Sequence, residues 1–166
     1  MLHTYLKQRL VGRFLVDPAA ASAEEVRVHA ARILEESRRN NLQNLEREVI
    51  GEAQRNARGA VGLRRVIAAL ERQEVQTLLV GRGLNSEAVE CPHCRHLDTR
   101  MVRQCAVCAH QTRELSDVTD ALVDLALHNG ADIQFVDEDS QLEKAGHVGA
   151  LLRFRADQNK AEKVAV

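Results

Sequence analysis

Residues 62–80 read GLRRVIAALERQEVQTLLV, and two hydrophobic periods meet inside this stretch. Leu63, Val66, Ile67 and Leu70 recur at the three- and four-residue spacing of one helical face, which predicts a helix up to about Gln73. Val75-Gln-Thr-Leu-Leu-Val80 follows, β-branched and apolar enough for a buried strand, and Gly81 and Gly83 close it. A helix feeding directly into a buried strand points to an α/β domain.

The pattern continues downstream. After a cysteine-bearing insert from about Ala88 to Arg113, Ser116 is positioned to cap a helix. Its first turn would hold Asp117 and Asp120, favourable at the positive end of the dipole, with Leu122, Leu125 and Ala126 facing inward. Asn129-Gly130 stops it. Asp132–Val136 alternates as a strand, Asp137-Glu-Asp139 reads as an acidic turn, and Val148–Arg155 reads as a last strand with Ala150, Leu152 and Phe154 on one side.

Upstream, His3–Val16 reads as a short helix and one strand, ended at Asp17-Pro18 because the residue before proline is pushed out of the α region. Ser22-Ala-Glu-Glu25 has the spacing of a capping box and starts a helix. Val26, Ala30, Ile33, Leu34 and then Leu42, Leu45, Val49, Ile50 and Ala53 form its apolar stripe, as one long helix or two in tandem. The expected fold is therefore a three-layer α-β-α sandwich with N-terminal helices and an inserted metal knuckle.

Composition narrows the function. Aromatic residues are 2% of the 166, so the stacking platforms of many single-strand nucleic-acid binders cannot be built. The net charge of −1 is unevenly spread: Arg55–Arg82 carries six Arg against two Glu, and Glu114–Lys144 carries nine acids against one Lys. No apolar run approaches the ~20 residues of a membrane span, and the signal-peptide pattern is lacking, so a cytoplasmic protein without a membrane partner is expected.

In a reducing compartment, paired cysteines are metal ligands more readily than disulfides. Cys91-Pro-His-Cys94 and Cys105-Ala-Val-Cys108 are two C-x-x-C turns whose spacing lets Cys91, Cys94, Cys105 and Cys108 hold one tetrahedral, structural Zn²⁺. Buried free thiols and a redox pair are the competing readings. Four thiolates around one Zn²⁺ leave a charge of −2, which Arg95, Arg100, Arg103 and Arg113 are near enough in sequence to offset. Such turns commonly place Gly after the second Cys. Arg95 and Ala109 stand there instead, which predicts strain or a looser turn, and His93, His96 and His110 are alternative ligands beside the loop.

Three segments together carry a family resemblance: residues 62–70, the strand Val75–Val80, and Gly146-His-Val-Gly-Ala-Leu-Leu-Arg-Phe-Arg155. They resemble the third, C-terminal domain of class I peptide chain release factors and their Pelota relatives, closest to bacterial and archaeal release-factor-like proteins. That family ends in Gly-Gly-Ile-Gly-Gly-Ile-Leu-Arg-Tyr-Arg, and its archaeal members carry two C-x-x-C pairs at the same insertion point. The resemblance implies the fold of kink-turn-binding ribosomal proteins over residues 58–157, with the zinc insert at 88–113 and a tail at 158–166. It also implies that residues 1–57 are the end of an RNase H-like domain with its linking helices, and that the chain is a C-terminal piece.

By that resemblance the domain is a non-catalytic docking module of translation termination or ribosome rescue. Its partner would be the ribosome or a GTPase-like translation factor. The Gly-Gly-Gln tripeptide of release factors is absent from these residues, so no catalytic residue is assigned, and no small-molecule substrate is evident. Asp117, Asp120 and Asp124 line one side of their helix and are the candidate partner-binding face. Arg64 and Arg65 stand where kink-turn binders have Asn and Glu, so they could meet phosphate but would not read that RNA. Two readings stay open beside docking: an RNA-binding module, and the accessory domain of a peptidyl-tRNA hydrolase with its active site elsewhere.

Overall fold

The computed structural model describes residues 9–155 except Pro18, Glu138 and Asp139. Those up to Asn44 form one compact unit and those from Leu45 onward a second. A single helix, α1 (Ala23–Gln54), runs through the division, so the tandem alternative is not realised.

In the first unit the Ser22 hydroxyl accepts the Glu25 N–H at 3.1 Å, which caps α1 at the predicted residue. Gly12 lies against Ile33, where a Cβ would come within 2.5 Å of its Cγ2. Phe14 stacks on His29 with centroids 5.3 Å apart. The strand expected within His3–Val16 is not formed by residues 9–16, and residues 3–8 lie outside the described residues.

The second unit is built on a sheet of order β1-β7-β2-β6, comprising β1 (Gly59–Val61), β2 (Val75–Gly81), β6 (Asp132–Val136) and β7 (Val148–Leu152). β7 runs antiparallel to both neighbours, and β2 and β6 are parallel. A parallel pair needs a crossover, which α3 (Thr119–His128) supplies together with the cysteine insert.

Strand alternation sends side chains to two cores. Leu78, Val80, Val148, Ala150 and Leu152 pack with Val66, Ile67 and Leu70 of α2 (Leu63–Glu71) and with Leu122 and Ala126 of α3. Leu79 and Leu151 face the opposite way, onto Val49 of α1, Val136 and Leu142. This is the expected three-layer α/β arrangement. The buried Glu46 carboxylate accepts the Leu142 N–H and so ties the end of α1 to the segment before β7.

Several local expectations are corrected. β1 had no recognised signal. It exists because Gly59 lets the chain pass against α1, where a Cβ would lie 2.3 Å from the Ala53 nitrogen. Ser116 does not cap α3. The Asp117 carboxylate accepts the Thr119 N–H at 2.9 Å and its hydroxyl at 2.7 Å instead. β7 ends at Leu152, and Phe154 is 58% exposed rather than part of the core.

The chain leaves β7 because Arg153 turns to α3, donating from Nη2 to the carbonyls of Asn129 and Gly130 at 3.0 and 3.1 Å. A guanidinium at a helix C-terminus is favoured by the dipole. His147, which stands where the release-factor pattern has Gly, takes φ 59°, a conformation that explains the glycine of that pattern. Of the acidic turn, Asp137 pairs with Arg82 at 3.1 Å, and Glu138 and Asp139 lie outside the described residues.

Candidate metal centre

The insert folds as a small sheet of order β4-β3-β5: β3 (Ala88–Glu90), β4 (Leu97–Asp98) and β5 (Arg113–Leu115). Glu90 pairs with Leu97, and Gln104 forms a bridge to Gln111, so each C-x-x-C lies at the tip of a hairpin enclosing six residues. The tips are Cys91-Pro-His-Cys-Arg-His96 and Cys105-Ala-Val-Cys-Ala-His110, a shared C-x-x-C-x-H pattern.

Backbone hydrogen bonds repeat with the pattern. The Cys91 N–H donates to the His96 carbonyl at 2.9 Å and the Cys105 N–H to the His110 carbonyl at 2.8 Å. Arg95 and Ala109 donate back to Cys91 and Cys105 at 2.8 and 2.9 Å. These closures require a left-handed residue after the second Cys, and Arg95 and Ala109 adopt φ 58° and 59°. The turns are therefore as tight as glycine would make them, and the missing glycines appear as backbone strain rather than as looseness.

Facing each other, the tips bring four sulfurs together. Cys91 and Cys108 are 3.4 Å apart, Cys94 and Cys105 3.5 Å, and Cys94 and Cys108 3.4 Å. A tetrahedron with metal–sulfur bonds of ~2.3 Å has edges of about 3.8 Å, so the set fits a metal ion after a small expansion. Cys91 and Cys105, the first of each pair, are buried; Cys94 is exposed and Cys108 half-buried.

The protons divide the same way. Burial opposes ionisation of Cys91, but the N–H groups of Cys94 and His93 and the thiols of Cys108 and Cys94 outweigh it and hold the group at about 7. At Cys94 the His96 N–H favours the thiolate, yet desolvation and the sulfurs of Cys108, Cys105 and Cys91 push it up to about 12. Cys105 is lowered, its burial overcome by the Cys108 and Val107 N–H groups. Cys108 is raised despite the His110 N–H, because desolvation and the Cys91 and Cys105 sulfurs disfavour a further charge. Four close sulfurs thus ionise readily only in part, and a divalent cation would remove the remaining protons.

The arginines are not all where charge balance suggested. Arg100 is engaged bidentately by Asp98, with a shortest contact of 2.7 Å, and this pairing lowers the Asp98 carboxyl below its usual range. Arg113 is bound to Glu90 at 2.6 Å, the residue opposite it across the strands. The hairpins are anchored to the domain by Glu71 at the end of α2, whose carboxylate pairs with His96 Nδ1 and accepts the Leu97 N–H at 3.2 Å. That contact was not anticipated. His93 and His110 stack on each other, also unforeseen, and the one sequence signal for it is the repeated histidine of the two tips.

The other candidate residues lie apart from the sulfurs. Arg64 and Arg65 are exposed on the first turn of α2. Arg64 lines a groove of about 390 Å³ between α2 and the hairpins, together with Ile67, Leu97, Arg100 and Val107. Asp120 and Asp124 are exposed on α3, and Asp117, also exposed, sits just ahead of it in its capping role.

An α/β sheet covered on both faces, with a four-cysteine double hairpin in its crossover, defines the fold class. It is the fold of the C-terminal domain of archaeal release factors and Pelota. The chain is similar to the C-terminal domain of a peptide chain release factor from Methanosarcina mazei, with 21% identity, a TM-score of 0.54, and coverage of 83% of this chain and 99% of that one. It is also similar to Archaeoglobus fulgidus Pelota, with 18% identity, a TM-score of 0.52, and coverage of 84% of this chain and 39% of that one. Archaeal Pelota in a model of ribosome-bound Pelota and ABCE1 gives 21% identity, a TM-score of 0.51, and coverage of 84% and 34%. The chain thus spans between a third and two fifths of the Pelota chains. No family profile and no curated protein matches the sequence.

Proposed function

We propose that this chain is a non-catalytic docking domain of a release-factor-like protein acting in translation termination or ribosome rescue, and that it binds the ribosome or a GTPase-like translation factor in the cytoplasm. The likeness carrying this reading is the one to the Methanosarcina release-factor domain, which the alignment covers almost end to end. The ribosome-bound state of the archaeal Pelota neighbour supports the choice of partner. Among the described residues, no helix is long and apolar enough to cross a membrane. On this reading residues 1–57 are the tail of an RNase H-like domain, and whether the whole protein hydrolyses peptidyl-tRNA depends on another part of it.

The four cysteines would hold one zinc ion. Four thiolates fill a tetrahedral shell and leave no position for a reacting water, so the ion joins two hairpins that have little core of their own. The exposed Asp117, Asp120 and Asp124 are the proposed partner face, since acids around one helix suit a basic protein surface. Arg64 and Arg65 suit a phosphate contact that is independent of sequence.

The test is co-sedimentation of the zinc-loaded chain with ribosomes at low salt, alongside a gel shift with kink-turn RNA. Binding to ribosomes without a preference for the kink-turn is expected. Tight, kink-turn-specific binding would replace docking by the RNA-module reading.

A further inference from the structure

The double hairpin brings a second set of donors together outside the four sulfurs. The His93 and His110 rings stack with centroids 3.9 Å apart and planes 4° apart. A ring nitrogen of each and the Cys108 sulfur all lie within 4.8 Å of one another. Both imidazoles are exposed and Cys108 is half-buried, so the set opens to solvent on the outer rim. The juxtaposition follows from the hexapeptide tips: packing sulfur against sulfur brings the residue before Cys94 over the residue two after Cys108.

We propose that His93, His110 and Cys108 form a second site for a divalent cation of borderline softness, Zn²⁺ or one like it, in which the Cys108 sulfur bridges two ions and water completes the shell. The proposal rests on the reading that the four cysteines hold the first ion. Imidazole and thiolate together are a donor set for such cations.

Two further observations support it. His110 Nδ1 lies 3.1 Å from the Cys108 carbonyl oxygen, and a carbonyl can only accept. The Nδ1 is therefore the donor in this contact and orients the ring, as the second nitrogen commonly does at histidine ligands. Charge is the second. Four thiolates and one divalent ion leave −2, and of the four arginines nearest in sequence Arg100 and Arg113 are held by Asp98 and Glu90, which leaves the exposed Arg95 and Arg103 to offset it. A second divalent ion with two neutral imidazoles brings the whole set to zero.

Geometry asks for little movement. Around a tetrahedral ion with bonds of ~2.0–2.3 Å the ligand atoms stand about 3.3–3.8 Å apart. Donors already within 4.8 Å stand at most about 1–1.5 Å beyond that spacing, and the two rings that would tilt are exposed.

The experiment is calorimetric titration of Zn²⁺ into the full chain, with imidazole nitrogen NMR as a second readout. Two equivalents are expected, the second shifting the His93 and His110 ring nitrogens. His93→Ala and His110→Ala should each weaken the second step by at least about 10-fold while retaining the first, which also shows that the variants fold. His128→Ala, an exposed histidine on α3, should change neither step. A single equivalent in the wild type, or a second one indifferent to both substitutions, overturns the proposal and leaves the four-cysteine reading intact. Loss of the first equivalent in His93→Ala overturns it too, because His93 would then be a ligand of the first ion. Failure of the wild type to take up any zinc removes both.

Discussion

Arg95 and Ala109 hold the same backbone conformation at the same place in two hairpins, with φ of 58° and 59°. Each follows the second cysteine of its pair and donates its N–H to the carbonyl of the first. A side chain in this region costs of the order of 1 kcal/mol that glycine does not pay. Arg95→Gly and Ala109→Gly should therefore each stabilise the zinc-loaded protein by about 0.5–1 kcal/mol, offset in part by the greater freedom of glycine in the unfolded chain. Thermal unfolding at saturating zinc measures this, and a lowered midpoint in both variants would show that the turns are not left-handed in solution.

The cysteines and the stacked histidines should separate sharply. Cys105→Ser removes a buried ligand, and most of the metal-coupled folding energy of the hairpins, on the order of 10 kcal/mol for a structural zinc, goes with it. His93→Ala, at an exposed position, should keep the first zinc equivalent and nearly all of the stability. Elemental analysis with urea unfolding of both variants decides, and equal damage would make His93 a ligand of the first ion.

Acid should release the metal steeply. Cys94 is pushed up to about 12 and Cys108 is raised, so at neutral pH both are thiols until an ion displaces their protons. Binding then releases at least two protons, and apparent affinity rises with pH by about two decades per unit. Below about 7, where Cys91 also takes up a proton, the fall steepens. Competition with a chromophoric chelator across the neutral range reads the slope. A pH-independent affinity would mean that the four thiols are not the ligands.

The glycines of β1 and β7 should differ in what they tolerate. At Gly59 a Cβ would meet the backbone at Ala53 N and Val49 O, 2.3 and 2.4 Å away, which cannot give way without moving α1. At Gly149 it would meet the side-chain ends of Leu142 and Val49 at 2.9 and 3.1 Å, which can repack. Gly149→Ala should cost about 1–3 kcal/mol and Gly59→Ala more. Denaturant unfolding of the two variants tests the order.

Asp120→Lys with Asp124→Lys should leave the fold unchanged, since both residues are exposed on α3. If this face meets a basic surface, association with ribosomes at low salt should slow by about 10-fold, and the difference should shrink as salt is added. Unchanged binding would place the interface elsewhere, and the groove beside Arg64 would be the next surface to test.

Local chemistry made much of this molecule legible. The β2 and β6 strands and the start of α1 carry their signals within a few residues: alternation in Asp132–Val136, an apolar run in Val75–Gly81, and a Ser22 hydroxyl that meets an N–H three residues on. The four-cysteine cluster was legible because each C-x-x-C is a closed local turn and the two tips need only face each other. Charge placement was less so. Arg100 and Arg113 are close to the sulfurs in sequence, yet Asp98 and Glu90 compete for them at shorter range.

What the sequence determined by itself was the set of elements that periodicity and turn chemistry specify: a long capped helix, a helix feeding a buried strand, a crossover helix stopped at Asn129-Gly130, and two cysteine-bearing tips. Tertiary structure alone decided everything resting on residues far apart. β1 is three residues long and exists only because Gly59 fits against α1; Phe154 leaves the core because Arg153 is drawn to the end of α3; His96 is fixed by Glu71 and His93 by His110. No local pattern encodes such contacts, because their free energy appears only once the sheet, its helices and the hairpins are assembled.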